Sequence, residues 1–291
     1  MMNATPKQYR RVATAMGFSP MAKANLAEVH RIATRFGAQM FVFHVGEWTP
    51  QCQTTYVSFL KELGIDPATI VLKSKAGDPK VELLDLCSEN NIDLLALGAL
   101  LRENMFKVFN ASIARDVCRK AKVSLLLLTH SSIMEEPCER IVVNGLDHPK
   151  TPDTIATAVW AGNKLGTVEL IVVDELSEKS IPRADDDMST LQRIRQSRRL
   201  EKQEQNRIES VLGLCTDGCT MDINKQHVYG KKGYTIAHYA KAKRADLLVV
   251  NSPDTKLGFL DRIFKHDLEY ILSDLPTDVL IVHTTKTTAH A

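Results

Sequence analysis

The fold is decided by the stretch "AGDPKVELLDLCSENNIDLLALGA" (residues 76–99), which recurs in altered form as "YGKKGYTIAHYAKAKRADLLVVNS" (residues 229–252). The separation from Gly77 to Gly230 is 153 residues, and the separation from Asp93 to Asp246 is the same. In each stretch a helix-like segment leads into a short apolar run of the kind that a parallel sheet buries on both faces. The chain therefore contains an internal repeat.

The repeat continues on both sides of these stretches. "RVATAMG" from Arg11 corresponds to "RIVVNGLD" from Arg140, and "VSLLLLTH" corresponds to "DVLIVHTT" near the end of the chain. Arg11 to Gly77 spans 66 residues and Arg140 to Gly230 spans 90, so the second copy is longer by 24 residues. The polar stretch "SSIMEEPCER" separates the copies. We predict domains at 1–133 and 139–291, with a long inserted helix near 186–213, where glycine and proline are almost absent.

Each copy alternates short β-rich runs with helix-like segments. In the first copy the runs are "RVATAM", "MFVFHV", "TIVLKSKA", "DLLALG" and "SLLLLT". Asp78 and Pro79 have the chemistry of a helix start, and Gly37 that of a helix stop. Such alternation predicts an α/β fold of two doubly wound, five-stranded parallel sheets, with ligands bound outside the carboxyl ends of the strands.

Composition limits the function further. The chain of 291 residues is 44% hydrophobic and 25% charged, which is typical of a globular protein, and its net charge is only +2. We therefore expect no nucleic-acid or membrane partner, and no apolar run reaches the roughly 18 residues of a membrane span. We expect a cytoplasmic protein. The sequence also lacks the usual phosphate-loop, dinucleotide, zinc-protease and nucleophile-elbow motifs, so we expect no strong catalytic activity.

The two copies together resemble a tandem universal stress protein, with the resemblance strongest in "GDPKVELLDLCSENNIDLLALGA" and "SIARDVCRKAKVSLLLLT". The resemblance implies a Rossmann-like, adenine-nucleotide α-hydrolase-like fold. It also implies that the two last strands, "SLLLLT" and "VLIVHT", meet as in the family's dimers, giving a pseudo-symmetric domain pair within one chain. Members that bind ATP carry an Asp after the first strand and a Gly-x2-Gly-x9-Gly-Ser/Thr loop after the fourth strand. Such a loop holds phosphate on backbone N–H groups and a hydroxyl.

Carried onto the first copy, the family's loop begins at Gly98, and Ser112 keeps its hydroxyl. Leu101 and Ala111 stand at the second and third glycines, and the first-strand Asp falls on Gly17 or Met16. Two interpretations remain open for this loop. Arg102 and Lys107 could still meet an anion, or the loop could be collapsed with its apolar side chains packed inward.

In the second copy Asp147 stands where the family's Asp is expected, although a shift of one residue would put Leu146 there. Asn251 and Asp254 replace the first two glycines, and Phe264-Lys265 replaces the final Gly-Ser/Thr. Asp254 would repel phosphate unless nearby charge offsets it. The charges available for that are a metal ion or the side chains of Lys256, Arg262 and Lys265.

Both family sites are therefore predicted to be eroded. The candidate ligand-binding residues are Gly98, Arg102, Ser112, Asp147, Lys256 and Lys265, no metal ligands are predicted, and the candidate ligands are ATP or AMP. The leading hypothesis is a stress-response protein that acts by binding a ligand or a protein partner, with further homodimerisation left open. The alternative is a weak ATPase or nucleotidyl-transfer enzyme of the same superfamily. A third hypothesis, a zinc or redox site at Cys215 and Cys219, competes with a solvent-facing loop that carries two incidental thiols.

Overall fold

The protein is represented by a computed structural model that describes residues 4–99, 109–176, 190–216, 218–253 and 268–284, without the side chains of 109–113, 115, 190–193 and 196. The strands are β1 Arg11–Ala15, β2 Gln39–Val45, β3 Ile70–Lys75, β4 Leu94–Gly98, β5 Ser124–Leu128, β6 Arg140–Asn144, β7 Glu169–Leu176, β8 Asp222–Tyr229, β9 Leu247–Asn251 and β10 Asp278–Val282. The helices are α1 Ala22–Phe36, α2 Pro50–Leu63, α3 Pro79–Glu89, α4 Phe109–Lys120, α5 Thr151–Leu165, α6 Thr190–Cys215 and α7 Tyr234–Ala242. A short 3-10 helix, Pro67–Thr69, precedes β3, and residues 268–273 are helical. The predicted α/β alternation is confirmed.

The first compact unit contains Gln8–Pro137 together with Thr277–His283. Its strands follow the order β3-β2-β1-β4-β5-β10, and the first five are parallel. The last strand, β10, pairs with β5 in the antiparallel sense, with Leu126 opposite Leu280. The predicted pairing of the two last strands is confirmed, and it covers the edge that β5 would otherwise expose.

The second compact unit contains the described residues among 1–7, 138–276 and 284–291. Its strands follow the order β9-β6-β7-β8, all parallel. The N-terminal segment belongs here, since the backbone N–H of Thr5 donates to Asp153 and that of Lys7 donates to Thr157, both at 2.9 Å. One terminal segment of each sequence copy therefore lies in the unit formed mainly by the other copy, and the domain boundaries drawn from the sequence stay a prediction.

Local signals act as the sequence predicts. The Asp78 side chain caps α3 by accepting from the backbone N–H of Lys80 at 3.0 Å, with Pro79 as the first helical residue. Gly37 ends α1 in the left-handed conformation with φ of 65°. The two copies of the repeat also share a hydrogen bond at the start of their first strands. The backbone N–H of Arg11 in β1 donates to the side chain of Asp93, and the backbone N–H of Arg140 in β6 donates to the side chain of Asp246.

The long helix predicted near 186–213 is present as α6, with 26 residues. It lies between the second and third strands of its copy, where the first copy has α2 with 14 residues. Ile208 and Leu212 of α6 are buried, with Ile208 only 1% exposed, whereas Ile194 near its start is 44% exposed. The extra residues therefore lengthen a helix of the repeat, and the C-terminal half of that helix packs on the core.

Candidate functional site

The fourth strand of the first copy ends at Gly98, the first residue of the family's loop. A Cβ atom built at this position would lie 2.2 Å from Nδ2 of Asn25 on α1. No side chain other than that of glycine fits unless Asn25 moves, since real Cβ contacts are never this short. The described structure therefore gives Gly98 a packing role at the strand end, independent of any ligand.

Aromatic rings fill the ends of the first two strands in the same copy. Phe18 follows β1 and lies 5.5 Å from the His44 ring and 6.0 Å from the Trp48 ring, between ring centroids. His44 and Trp48 are 5.2 Å apart in an edge-on arrangement, and Trp48 contacts Tyr56 of α2. Phe18 has a φ of 50°, which is costly for a bulky side chain, about 1–3 kcal/mol. The surrounding rings hold it in that conformation.

His44 also satisfies the backbone at this place. Its Nδ1 lies 3.0 Å from the carbonyl oxygen of Met16, one residue beyond β1. A carbonyl oxygen only accepts, so the ring carries a proton on Nδ1. His44 is buried and Gly17 beside it is exposed. The strand end is thus covered by a packed aromatic cluster, defined here as Phe18, His44, Trp48 and Tyr56.

In the second copy the first strand ends differently. Asn144 closes β6, and its Oδ1 accepts from the backbone N–H of Leu146 at 3.0 Å. The turn buries Leu146 and leaves Asp147 exposed. The buried residue at this turn is therefore Leu146, which a shift of one residue would place at the position of the family's Asp. The assignment of Asp147 to ligand binding stays a prediction.

A buried polar network joins the start of α5 to the end of β9. The Asn251 amide donates to Oγ1 of Thr151 at 3.0 Å and accepts from Oγ1 of Thr154. The ammonium of Lys150, which is only 4% exposed, lies 3.1 Å from the carbonyl oxygen of Ser252 and 3.3 Å from both the Ser252 hydroxyl and the Pro253 carbonyl oxygen. These bonds fix the first residues of the segment that follows β9.

A narrow cleft with about 350 Å³ of empty space, part of it open solvent, lies beside this network. Its inner part has room for about one water molecule. Two asparagine amides and Gly233 supply its polar surface, and the rest is apolar. The lining residues are Asn144, Leu146, Gly233, Val250, Asn251, Pro253, Leu268 and Ile271.

The cleft ends at the start of α7. A helix N-terminus binds anions because its first N–H groups have no partner within the helix. Here that partner is the carboxylate of Glu175 on β7, which accepts from Gly233 N at 3.0 Å and from Ile236 N at 2.8 Å. Glu175 is only 3% exposed. An acidic side chain of the chain itself therefore occupies this anion site.

A charged cluster ties α6 to the same strand ends. Arg207 donates from Nη2 to the Gly145 carbonyl oxygen at 2.7 Å and to Asp174 of β7 at 3.2 Å, and its Nε donates to Glu204. Burial raises the pKa of the Asp174 carboxyl, and the Arg207 guanidinium opposes that rise. The other Asp174 oxygen lies 3.5 Å from Nδ1 of His227, beyond a good hydrogen bond, and neither atom has a partner within the described ranges.

The structure brings only part of the predicted set into view. Arg102, Lys256 and Lys265 lie outside the described residues, and so do the loop positions Leu101, Lys107, Asp254, Arg262 and Phe264. Ser112 lies in α4, but its side chain is not described. Gly98 and Asp147 are described, on different copies of the repeat.

The cysteine hypothesis meets a partial correction. Cys215 is the last residue of α6 and its Sγ lies 3.4 Å from the Pro152 carbonyl oxygen, so the expectation of a solvent-facing loop is wrong for this residue. All six cysteines are free thiols. Among the described residues, no group of three His, Cys, Asp or Glu side chains could hold a metal ion. Within the same ranges, no helix has the length and apolar character that crossing a membrane requires.

Sequence reasoning missed the groups that occupy the strand ends. Asn25, Glu175 and Arg207 were not singled out. They lie against Gly98 at the end of β4, Gly233 after β8 and Gly145 after β6, in that order. The one available signal was a charge difference at an equivalent position of the repeat. His44 follows Phe43, which pairs with the last residue of β1, and Asp174 follows Val173, which pairs with the last residue of β6. At this position the first copy therefore has a histidine and the second copy has an aspartate.

Comparison with solved structures finds close matches in fold. The chain is similar to a protein of unknown function from Pseudomonas aeruginosa PAO1, with a TM-score of 0.66, 12% identity, and coverage of 95% of this chain and 93% of that one. A protein from Pseudomonas aeruginosa UCBPP-PA14, provisionally assigned as a universal stress protein, has a TM-score of 0.66 and 13% identity, covering 95% and 94%. A universal stress protein from Archaeoglobus fulgidus DSM 4304 has a TM-score of 0.64 and 15% identity, covering 94% and 98%.

The chain thus has the α/β fold of universal stress proteins, in its tandem form over nearly its whole length. The resemblance stated from the sequence is confirmed at the level of fold. No protein-family model matches the sequence, and no curated protein sequence matches it. Function therefore has to be argued from the side chains at the strand ends.

Proposed function

We propose that this chain is a universal-stress-type protein of the cytoplasm that acts in stress response by binding, without strong catalytic activity. In this proposal the nucleotide sites of the family are rebuilt in both copies. The observation that carries it is the occupation of both strand ends by the chain's own groups. The aromatic cluster takes that place in the first copy, and Leu146 with the Glu175 carboxylate takes it in the second.

The second copy has a mostly apolar cleft with a few placed polar groups, which is the general form of a small-molecule site. Its inner part has room for about one water molecule, so the cleft does not by itself define a ligand class. ATP and AMP are the ligands that the family resemblance implies, but because the chain's own groups occupy the strand ends we expect no micromolar binding of ATP. A protein partner or a second copy of the chain remains open. The proposal does not require Arg102, Ser112, Asp147, Lys256 or Lys265, although each could contribute.

The alternative, a weak ATPase or nucleotidyl-transfer enzyme, is tested by turnover. Purified protein is incubated with ATP and Mg²⁺, and phosphate release is compared with that of the double variant Asp147→Ala, Lys265→Ala. We expect equal rates at the level of the buffer control. A wild-type rate clearly above that of the double variant would contradict the binding proposal and favour the enzyme.

A further inference from the structure

Two helices at equivalent places in the repeat carry opposite charge. With their flanking residues, α3 and α7 lie within 78–93 and 231–246, two ranges that are related by the same offset of 153 residues. The first range contains five acidic residues and one basic residue, and the second contains five basic residues and one acidic residue. The helix is therefore negative in the first copy and positive in the second, although the whole chain is close to neutral.

On α3 the carboxylates outnumber the cation that they share. These carboxylates belong to Glu82, Asp85 and Glu89. The ammonium of Lys75 on β3 lies 2.8, 3.9 and 3.0 Å from their oxygen atoms, in that order. The side chains of Asp85 and Glu89 are each 55% exposed, and the apolar Val81, one turn before Asp85, is 49% exposed. One lysine cannot neutralise three carboxylates, so α3 presents surplus negative charge around an exposed apolar residue.

On α7 the exposed charges are positive. Lys231 and Lys241 are both exposed, and neither forms a salt bridge within the part of the chain that the structure describes. The Lys231 ammonium lies 4.0 Å from the centroid of the Tyr270 ring, which supplies no negative charge. Between the two lysines Tyr234 is 52% exposed, and its ring packs edge-on against His238 at 4.2 Å between centroids. This helix therefore presents surplus positive charge around an exposed aromatic residue.

The two exposed faces complement each other in charge and in the placement of their apolar residue. Val81 and Tyr234 stand at equivalent positions of the repeat, each between charged neighbours. An apolar centre within a charged rim, facing a rim of the opposite sign, is the usual form of a specific protein interface, and tyrosine is often its main contributor. The α3 face is defined here as Val81, Glu82, Asp85 and Glu89, and the α7 face as Lys231, Tyr234, His238 and Lys241.

We infer that the α3 face of one chain docks on the α7 face of a second copy of the same chain. Because each chain carries both faces, a second copy supplies the complement of each. The carboxylates of one copy then meet the ammonium groups of the other, and Tyr234 packs on Val81. Exposed charge pairs contribute little each and are screened by salt, so the association is weak and depends on ionic strength. Neither face includes a group of the strand ends, so this inference goes beyond the proposed function.

The test reverses the charge of each face in the full-length protein. The first variant, Asp85→Lys with Glu89→Lys, makes the α3 face positive, and the second, Lys231→Glu with Lys241→Glu, makes the α7 face negative. Sedimentation velocity over a series of protein concentrations measures association at about 20 mM and about 500 mM salt. We expect the wild type to associate at the lower salt concentration and to be monomeric at the higher one. Each variant alone should associate about tenfold more weakly or less, since its two faces then carry the same sign.

An equimolar mixture of the two variants is the decisive sample. One variant has two positive faces and the other has two negative faces, so the mixture should regain the association of the wild type at low salt. Two control variants make the same changes in net charge at exposed positions elsewhere. They are Glu47→Lys with Glu62→Lys and Lys61→Glu with Lys164→Glu, and each should associate as the wild type does. Thermal unfolding checks that every variant is folded.

Three outcomes would overturn the inference. The first is a wild type that stays monomeric at low salt, which would assign the two faces to a partner of other chemistry. The second is association that the reversed charges leave unchanged, and the third is a mixture of the two variants that associates no better than either alone. None of these outcomes affects the proposed function, which the release of phosphate from ATP tests separately.

Discussion

The two copies satisfy the same backbone carbonyl with different side chains. In the first copy the carbonyl of Met16, one residue beyond β1, accepts from the His44 ring at 3.0 Å. In the second copy the carbonyl of Gly145, at the equivalent place, accepts from Arg207 of α6 at 2.7 Å. The residue equivalent to His44 is Asp174, which pairs with the same arginine. One backbone thus supports an aromatic cluster in one copy and a charged cluster in the other.

A second exchange lies at the end of the fourth strand. The first copy has Gly98 with the amide of Asn25 packed over it, and the second has Asn251 with its amide bonded to Thr154. In the first copy the side-chain amide comes from Asn25 on the helix, and in the second copy it comes from Asn251 on the strand. In both copies the amide lies between the end of the fourth strand and the start of the first helix. We conclude that pairs of side chains determine the packing at these strand ends, so a single loop glycine says little about ligand binding.

The largest expected effect concerns the helix that the second copy extended. Ile208 packs against Gly145 and is fully buried, so Ile208→Ala should lower the free energy of unfolding by about 2–5 kcal/mol. Ile194→Ala is the matched control on the exposed part of α6 and should change it by less than about 0.5 kcal/mol. Urea unfolding measures both. Equal effects would mean that α6 does not pack on the core.

Arg207 should matter nearly as much, because Arg207→Met leaves the buried Asp174 carboxylate without its cation. Arg207 is partly exposed, so we expect a loss of about 2 kcal/mol, below that of a fully buried pair. The double variant with Asp174→Asn should recover most of that loss, as no charge then remains buried. The control is Arg119→Met, an exposed partner of Asp116. A double variant that is no more stable than Arg207→Met in chemical unfolding would contradict the ion-pair account.

The pair of residues at the end of the fourth strand can be tested by introducing the second copy's pair into the first copy. Gly98→Asn alone should cost about 1–3 kcal/mol, since its Cβ would overlap the Asn25 amide. Adding Asn25→Thr reproduces the pair found in the second copy and should restore much of the stability. A double-mutant cycle from urea unfolding gives the coupling. Additive effects would show that the two positions are independent.

The smallest effect concerns Asp278 at the start of β10. Burial raises the pKa of its carboxyl, against the hydrogen bonds from Thr129 and His130 to a single oxygen, Oδ1. A raised pKa in the folded state means that stability is present below the ordinary Asp value and is lost as pH rises through the folded value. Asp278→Asn keeps the acceptor and removes the charge.

The variant should therefore be slightly more stable than the wild type, by a larger margin at pH 8 than at pH 5. Thermal unfolding at the two pH values measures this. A margin that grows as pH falls would contradict the assignment of buried charge to Asp278.

The comparison also shows what the sequence could and could not predict. The strands and the cap at Asp78 depend on local patterns and on the repeat, so they were predictable, and the pairing of β5 with β10 was implied by the family resemblance. Glu175 and Arg207 act on partners 58 and 62 residues away, and no local pattern marks such contacts. The aromatic cluster was missed for the same reason, because Phe18 and His44 meet only after β1 and β2 pair.

The most direct test of the account is a calorimetric titration of the full-length protein with ATP, with and without Mg²⁺. In the proposed arrangement the chain's own groups occupy the strand ends where the family binds nucleotide. We therefore expect no binding of ATP at micromolar affinity under either condition. Binding of one ATP per chain at micromolar affinity would contradict it, and variants of Ser112 and Asp147 would then identify the copy that binds.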